Sequence, residues 1–255
     1  MAPRPAGRRP CIFCGAPTAL TKEHFTPQWM HPLLPPLSDT HRVQMRTTDY
    51  GGATRRRLRQ GGVRSIQMKC VCANCNGVWM SGLEEAARTA ITRLVRGERH
   101  NIDAESLLLV QQWCAMKVFV ADAEVPAASV ATPQDREAFR ATRTIPDYLR
   151  IRLGQTAGAG WASQFFRQTM SNSPNERPRF QVLVAGMGQL LVVATLDRTG
   201  GAVDLFAQTQ LAVVLPSLNA EVAWPPNPLP LTDQDATAIT TTLDQLKANL
   251  AGIIH

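Results

Sequence analysis

The spacing of apolar residues predicts helices through the middle of the chain. Ser81 can cap a helix, Glu84 follows three residues later, and the apolar residues after it recur every three or four positions. A longer apolar pattern follows, and Thr132 with Pro133 has the residue types that begin a helix. The predicted helices cover residues 81–97, 104–123 and 132–143, with two shorter ones at 146–153 and 161–170 and a last amphipathic one at 232–250.

Towards the C-terminus, the pattern changes to one that favours strands. Two segments rich in Val and Leu, 180–196 and 202–215, are separated by the turn-forming run Thr-Gly-Gly at 199–201. They predict a β-meander or a small antiparallel sheet. Gly186 and Gly188 form a lone Gly-x-Gly inside the first segment, which favours a bulge or a close packing contact over a phosphate-binding loop.

The N-terminal third of the chain carries a pattern typical of a metal site. It has too few apolar residues for a large core and many Pro and Gly residues, and a segment of this kind usually needs a metal ion to hold it together. Two Cys-x-x-Cys pairs can supply that site, because each pair places two sulfurs at the separation that tetrahedral zinc requires. The sequence therefore predicts one structural Zn²⁺ ion bound by Cys11, Cys14, Cys72 and Cys75. Cys70 is either a competing ligand or a buried free thiol.

Positive charge is concentrated in the first 100 residues. The net charge is +7, and the first 100 residues hold 16 Lys and Arg against 6 Asp and Glu, whereas the rest of the chain holds 11 against 14. This division suggests a polyanionic partner, most often nucleic acid, and the alternative is a solvated surface whose Arg residues only keep the protein soluble. Arg55, Arg56, Arg57 and Arg59 lie between two Gly-Gly pairs, as in a basic loop or hairpin tip. Such a tip can bind phosphates, or it can be a solvated loop without a ligand.

The residues beside the two cysteine pairs carry a family resemblance. LTKEHFTPQWM follows the first pair and NGVWMSGLEE follows the second. This arrangement resembles the zinc-stabilised HNH endonucleases, and in particular bacterial HNH-type proteins with Glu-His-x-x-Pro-x-Trp and Cys-Asn-x-x-Trp-Met signatures. The resemblance covers about residues 11–90. It implies a ββα-metal fold, in which two strands and a helix surround one catalytic divalent metal ion.

The resemblance also implies a role for three residues. His24 matches the general base, Glu23 matches the acidic ligand of a catalytic Mg²⁺ or Mn²⁺ ion, and Asn76 matches a second ligand at the start of the helix. Such a site would suit phosphodiester hydrolysis, because an imidazole can accept a proton from water near neutral pH and a metal ion can offset charge on the phosphate. Each residue also has a simpler interpretation: a structural histidine, a surface or capping carboxylate, and a helix cap.

One position departs from the family pattern. The family has an Asn about five residues before the second cysteine pair, where it orients the base, and this chain has none there. Ser65 or Gln67 takes its place, or the site is weakened and hydrolysis is lost.

These observations predict an α+β protein with an N-terminal ββα-metal (HNH-like) module, followed by a helical segment and a small antiparallel sheet. The predicted divisions are a flexible N-terminus at 1–10, the HNH-like module at 11–97 and a mixed helix-then-sheet domain of unknown role at 98–255. The last domain could also form homo-oligomers. No apolar run is long enough to span a membrane and the N-terminus has no apolar signal region, so a cytoplasmic location is expected.

The leading functional hypothesis is a metal-dependent endonuclease that hydrolyses DNA. Two alternatives remain open at this point. One is a zinc-stabilised module that binds nucleic acid without hydrolysing it, and the other is an HNH-derived scaffold for a small-molecule or protein partner.

Overall fold

The structure is a computed structural model that describes residues 9–36, 42–48, 54–60, 62–170, 177–199, 212–214, 221–225 and 230–239, with only the backbone described at 42–48, 54–60 and 212–214. Helices and strands are mixed along the chain. The strands are β1 (Leu20–His24), β2 (Arg42–Thr48), β3 (Thr54–Gln60), β4 (Gln67–Cys72), β5 (His100–Ile102), β6 (Leu149–Gln155), β7 (Phe165–Met170), β8 (Phe180–Met187), β9 (Leu190–Asp197), β10 (Ala212–Val214) and β11 (Val222–Trp224). The helices are α1 (Ser81–Arg96), α2 (Ala104–Asp122) and α3 (Pro133–Thr142).

The three long helices lie where the apolar spacing predicts them. Helix α1 ends at Gly97, whose left-handed φ of 69° stops the helix, and α2 begins after Asp103, which accepts a hydrogen bond from the Ser106 N–H. Helix α3 begins with a reciprocal capping box between Thr132 and Asp135. The same device, between Thr232 and Asp235, starts a helix at 233–239, and the rest of the predicted last helix lies outside the described residues.

The start of α1 differs from the prediction. Ser81 does not cap the helix, because a π-helical turn at Cys75–Met80 runs directly into α1. Glu84 is therefore free of the predicted capping role and pairs with a lysine of α2, as described below.

The sheet is larger than predicted and contains one parallel pair. Seven strands lie in the order β10-β6-β9-β8-β7-β2-β3, with β2 parallel to β7 and all other neighbours antiparallel. Strands β8 and β9 form a hairpin whose turn contains Gly188 at a φ of 60°, so this turn lies inside the first predicted Val- and Leu-rich segment and not at 199–201. Two smaller antiparallel sheets pair β1 with β4 and β5 with β11.

The two short helices predicted at 146–153 and 161–170 are wrong, because these segments contain β6 and β7. Every residue of β7 is buried, and so is every residue of β6 except Arg150. Strands buried on both faces lose the alternating pattern that marks a half-exposed strand, so their apolar runs can be mistaken for short helices.

A continuous core connects the N-terminal segment with the helices and the large sheet. It includes Phe13 beside the first cysteine pair, Trp113 and Phe119 on α2, and Leu183 on β8. The β2–β3 hairpin, from the predicted HNH-like module, also pairs with β7 of the C-terminal part. The division of the chain at residue 97 remains a prediction. Within the described part of the chain, no helix is long and apolar enough to cross a membrane.

Candidate metal centre and functional site

The four predicted zinc ligands converge on one point. The Sγ atoms of Cys11, Cys14, Cys72 and Cys75 all lie within 4.8 Å of one another. The Sγ atoms of Cys14 and Cys72 are 3.7 Å apart. Two sulfurs of a tetrahedral zinc site are about 3.8 Å apart when each Zn–S bond is about 2.3 Å. The cluster therefore has the ligands and the dimensions of a structural zinc site.

The backbone around the cysteines supports the same arrangement. The Gly15 N–H donates to the Cys11 carbonyl, and the φ of 68° at Gly15 gives the tight turn after the first pair. Two backbone N–H groups point at sulfur atoms: that of Cys72 at Cys11 Sγ (3.3 Å) and that of Cys75 at Cys72 Sγ (3.4 Å). Such N–H groups stabilise negative charge on a thiolate.

The pKa values of the cluster differ from one thiol to another. Burial raises the pKa of Cys72, but the Cys75 N–H and the neighbouring thiols outweigh it and lower the value to about 7. Burial raises the pKa of Cys14 and of Cys75. Cys72 therefore ionises more readily than Cys14 and Cys75, and a bound metal ion would supply the positive charge that their thiolates need.

Cys70 lies outside the cluster. Burial, together with the nearby charge of Glu23, raises the pKa of its thiol to about 12. Among the described residues, only the other four N-terminal cysteines share the metal-binding point. The free-thiol interpretation of Cys70 fits this arrangement.

Both tryptophans beside the predicted site pack against neighbouring side chains. Trp79 makes an edge-on contact with Phe13, between the first two cysteines, with ring centroids 4.8 Å apart, and the Arg143 guanidinium lies 4.1 Å from the Trp79 ring. Arg88 of α1 lies 5.0 Å from the Trp29 ring. Trp79 thus packs beside the first cysteine pair, whereas Trp29 contacts α1.

His24 lies at the end of the β1–β4 pair that is remote from the cysteines. Leu20 is opposite Cys72 at one end of the pair, and His24 is opposite Gln67 at the other. The His24 Nε2 atom is 2.8 Å from the Gln67 side-chain nitrogen in an exposed contact. Gln67, one of the two predicted substitutes for the missing Asn, is thus the residue that contacts the imidazole.

A second histidine lies close to His24. The rings of His24 and His31 have centroids 6.1 Å apart, and His31 Nε2 lies 3.2 Å from the carbonyl oxygen of Thr26. Burial lowers the pKa of His31, and the charges of His24 and Arg64 lower it further, although the Thr26 carbonyl acts in the opposite direction. His31 therefore favours its neutral form at physiological pH.

Glu23 points away from His24 and into the protein. It is 6% exposed, and its Oε1 atom lies 2.5 Å from Nζ of Lys117 on α2. The same Nζ atom lies 2.5 Å from Oε1 of Glu84 on α1. The carbonyl oxygen of His24 accepts a third hydrogen bond from Lys117, at 2.9 Å. Adjacent residues of an extended strand face opposite sides, and the contacts of Glu23 and His24 follow that rule.

Asn76 lies at the cysteine end of the strand pair. It follows Cys75 in the π-helical turn, and its side-chain Nδ2 donates to the Thr21 hydroxyl at 3.2 Å. The contacts of Glu23 are with Lys117, and those of Asn76 are with Thr21, so the described contacts do not join the two predicted ligands in one metal site. In this arrangement the Glu23 carboxylate pairs with the Lys117 ammonium group.

The arginine run lies on a strand and not in a loop. Arg55, Arg56, Arg57 and Arg59 belong to β3, which pairs with β2 and forms an edge of the large sheet. The prediction of a loop or hairpin tip is therefore wrong. A run of arginines interrupted by one leucine lacks the apolar alternation that identifies a strand, and this strand forms through pairing with β2.

Sequence reasoning missed Lys117 as part of the site. The signal was a single lysine inside the apolar run of α2, because a fully buried lysine requires an acidic partner. The sequence could not identify that partner, since Glu23 and Lys117 are 94 residues apart. Comparisons of the chain with family models, with curated proteins and with solved structures found no match.

Proposed function

We propose that this protein is a zinc-stabilised, HNH-type endonuclease that hydrolyses phosphodiester bonds of DNA, with His24 as its general base. The observation that carries the proposal is the contact between His24 and Gln67, at the end of a strand pair whose other end carries Cys72 of the cysteine cluster. The order of elements agrees with it: β1 and β4 are antiparallel, and the helical segment that begins within the second cysteine pair follows them. That is the order of a ββα module.

The Gln67 amide would orient the imidazole of His24. A neutral imidazole has one N–H donor and one acceptor nitrogen, and the partner of one nitrogen fixes which form is present. If the amide oxygen of Gln67 accepts the Nε2–H, Nδ1 of His24 is left free to take a proton from water. The amide nitrogen and oxygen exchange places by a half turn of the side chain, so this hydrogen bond can be made without moving the backbone.

We assign no step to a divalent metal ion, because the predicted ligands Glu23 and Asn76 make contacts elsewhere. Whether cleavage requires Mg²⁺ or Mn²⁺ is measured in the assay described below. Zinc, in this proposal, holds the strands in place and takes no part in the reaction.

Nicking of a supercoiled plasmid by the zinc-loaded, full-length protein tests the proposal. We expect His24→Ala to lower the cleavage rate by about 10²–10⁴-fold, because it removes the general base, while zinc content and folding stay unchanged. Gln67→Ala should give a smaller loss, because the base remains but is no longer oriented. His100→Ala is the matched control, since His100 lies on β5 and contacts the carbonyl of Glu98.

The same assay with Mg²⁺, Mn²⁺ or a chelator of divalent ions reports the metal requirement of cleavage. Glu23→Ala and Asn76→Ala variants show whether either residue contributes to that requirement: a rate restored by excess metal ion would indicate a ligand. Equal cleavage by wild type and His24→Ala would contradict the proposal.

A second candidate function is nucleic-acid binding without hydrolysis. The ion pair between Glu23 and Lys117 favours it, because that pair occupies the carboxylate that an HNH-type metal ion would need. In this case the four arginines of β3 supply affinity for the DNA backbone. Replacing Arg55, Arg56, Arg57 and Arg59 by Gln should weaken DNA binding and flatten the dependence of log K on log salt, since fewer counterions are released.

The control for the arginine variant is Arg96→Gln with Arg99→Gln, two exposed residues at the end of α1 and beyond it. Salt-dependent binding with no cleavage under any metal condition would favour this candidate. No retention on DNA at any salt concentration would exclude both and leave the scaffold hypothesis, with a small-molecule or protein partner.

A further inference from the structure

Lys117 lies at the centre of a closed set of oxygen atoms. Lys117 is 1% exposed. Its Nζ atom contacts Glu23 Oε1, Glu84 Oε1 and the carbonyl oxygen of His24. An ammonium group has three N–H donors and no acceptor. All three donors therefore have an oxygen partner. The acceptors come from β1 and α1, so this one side chain of α2 joins three elements.

The oxygens around Lys117 are of the kind that a hard divalent cation binds. Mg²⁺ and Mn²⁺ prefer carboxylate and carbonyl oxygens, and both are present here. Two carboxylates held close together without a cation would repel one another, and an ammonium ion buried without partners would be unstable. A positive charge between Glu23 and Glu84 therefore stabilises the group, and Lys117 provides it.

We propose that Lys117 is the resident cation of this centre: its ammonium ion takes the place that a divalent metal ion would need at Glu23. While Lys117 is present, no divalent ion binds between Glu23 and Glu84. Lys117 also holds the main chain of His24, which makes it a positioning residue for the proposed base. The positioning of His24 by Lys117 rests on the proposed function. The proposal that the Lys117 ammonium ion takes the place of a metal ion does not.

Mn²⁺ binding to the zinc-loaded, full-length protein tests the inference, by calorimetry or by the electron paramagnetic resonance signal of free Mn²⁺. Lys117→Met removes the charge and keeps an unbranched side chain of similar length. We expect this variant to bind one Mn²⁺ ion at least about tenfold more tightly than wild type, a difference of about 1.4 kcal/mol. Adding Glu84→Gln to Lys117→Met should abolish the gain, because it removes one of the two carboxylates.

The matched control is Lys69→Met, which removes an exposed lysine from β4 and should leave Mn²⁺ binding unchanged. A folded Lys117→Met protein with the Mn²⁺ affinity of wild type would overturn the inference. If that variant does not fold, wild type and Glu23→Gln decide the question. Equal Mn²⁺ binding by these two proteins is expected, and a wild-type site that disappears in Glu23→Gln would refute the proposal.

The binding measurements use no DNA. A protein that cuts no plasmid would therefore defeat the proposed function without affecting this inference. Conversely, a Glu23-dependent Mn²⁺ site in wild type would defeat the inference and leave His24 as the proposed base.

Discussion

Two of the six cysteines, Cys70 and Cys114, are buried and lie outside the cluster of four. Burial raises the pKa of Cys70 and of Cys114 to about 12, and the nearby carboxylate of Glu23 adds to the effect at Cys70. Thiolates, not thiols, bind metal ions and react with electrophiles. A pKa of about 12 lowers the thiolate fraction at pH 7 by about 1,000-fold relative to an ordinary thiol with a pKa near 9. Both residues should therefore be inert in the folded protein.

Alkylation with iodoacetamide, read by mass spectrometry, checks this prediction. In the zinc-loaded protein we expect almost no labelling of Cys70 and Cys114 at pH 7, and complete labelling only after unfolding in guanidinium chloride. Cys70→Ser should keep its full zinc content, whereas Cys72→Ser should lose zinc. Loss of zinc from Cys70→Ser would show that Cys70 is a ligand after all.

At the residue scale, the sequence identified the four cysteines that converge on one point but not the partners of Glu23. Zinc ligands can be predicted because the Cys-x-x-Cys spacing is itself a local geometric requirement. The partner of Glu23 depends on how α2 packs against β1, and nothing near Glu23 in the chain encodes that contact. Gln67 was predicted only in part. Its position before the second cysteine pair suggested that it replaces the missing Asn, and its contact with His24 supports that role.

At the scale of elements, the β8 strand depends on one close approach of backbone to backbone. A Cβ atom at Gly186 would lie 1.6 Å from the carbonyl oxygen of Trp161. The Gly186 N–H also donates to the carbonyl of Gln164, just before β7. Gly186 thus lets the segment before β7 lie directly on β8, which is the close packing contact that its place in a strand pattern favours.

Gly186→Ala should destabilise the protein by about 1–3 kcal/mol or more, because the carbonyl it would meet belongs to the backbone and cannot rotate away. Gly82→Ala is the matched control: it lies in α1 with nothing within 4 Å of the added carbon, and we expect it to be neutral or to stabilise by up to about 1 kcal/mol. Urea unfolding at equilibrium measures both. Equal midpoints for Gly186→Ala and wild type would contradict the packing argument.

The elements also show where local pattern is sufficient. Helices α2 and α3 begin at side-chain caps, Asp103 and Thr132, and those signals lie within a few residues of each start. Strands β6 and β7 have no such signal, because their burial on both faces comes from neighbours elsewhere in the chain. The π-helical turn before α1 could not be predicted either. The Ser81 capping pattern predicts that the helix starts at Ser81, whereas in the structure the π-helical turn already precedes it.

At the scale of the whole molecule, two long-range connections tie the N-terminal segment to the rest of the chain. One is the parallel pairing of β2 with β7, which brings the arginine-bearing β3 to the edge of the large sheet. The other is the cysteine cluster, which joins residues 58 positions apart. The pairing of β2 with β7 could not be predicted, because strand register over more than 100 residues is set by tertiary packing and not by local pattern.

Removing the metal ion should weaken the whole structure and not only its N-terminal part. Phe13 is fully buried between Cys11 and Cys14 and belongs to the core that also contains α1, α2 and the large sheet. The free energy of zinc binding contributes directly to folding when the site is absent from the unfolded chain. The purified protein should contain about one equivalent of zinc, and chelation should lower its unfolding temperature by about 10 °C or more. Elemental analysis and calorimetry measure these quantities.

Added Zn²⁺ should restore the unfolding temperature and added Mg²⁺ should not, because magnesium does not bind thiolates well. A metal-free protein that unfolds at the same temperature as the purified one would show that the four cysteines do not hold the fold together.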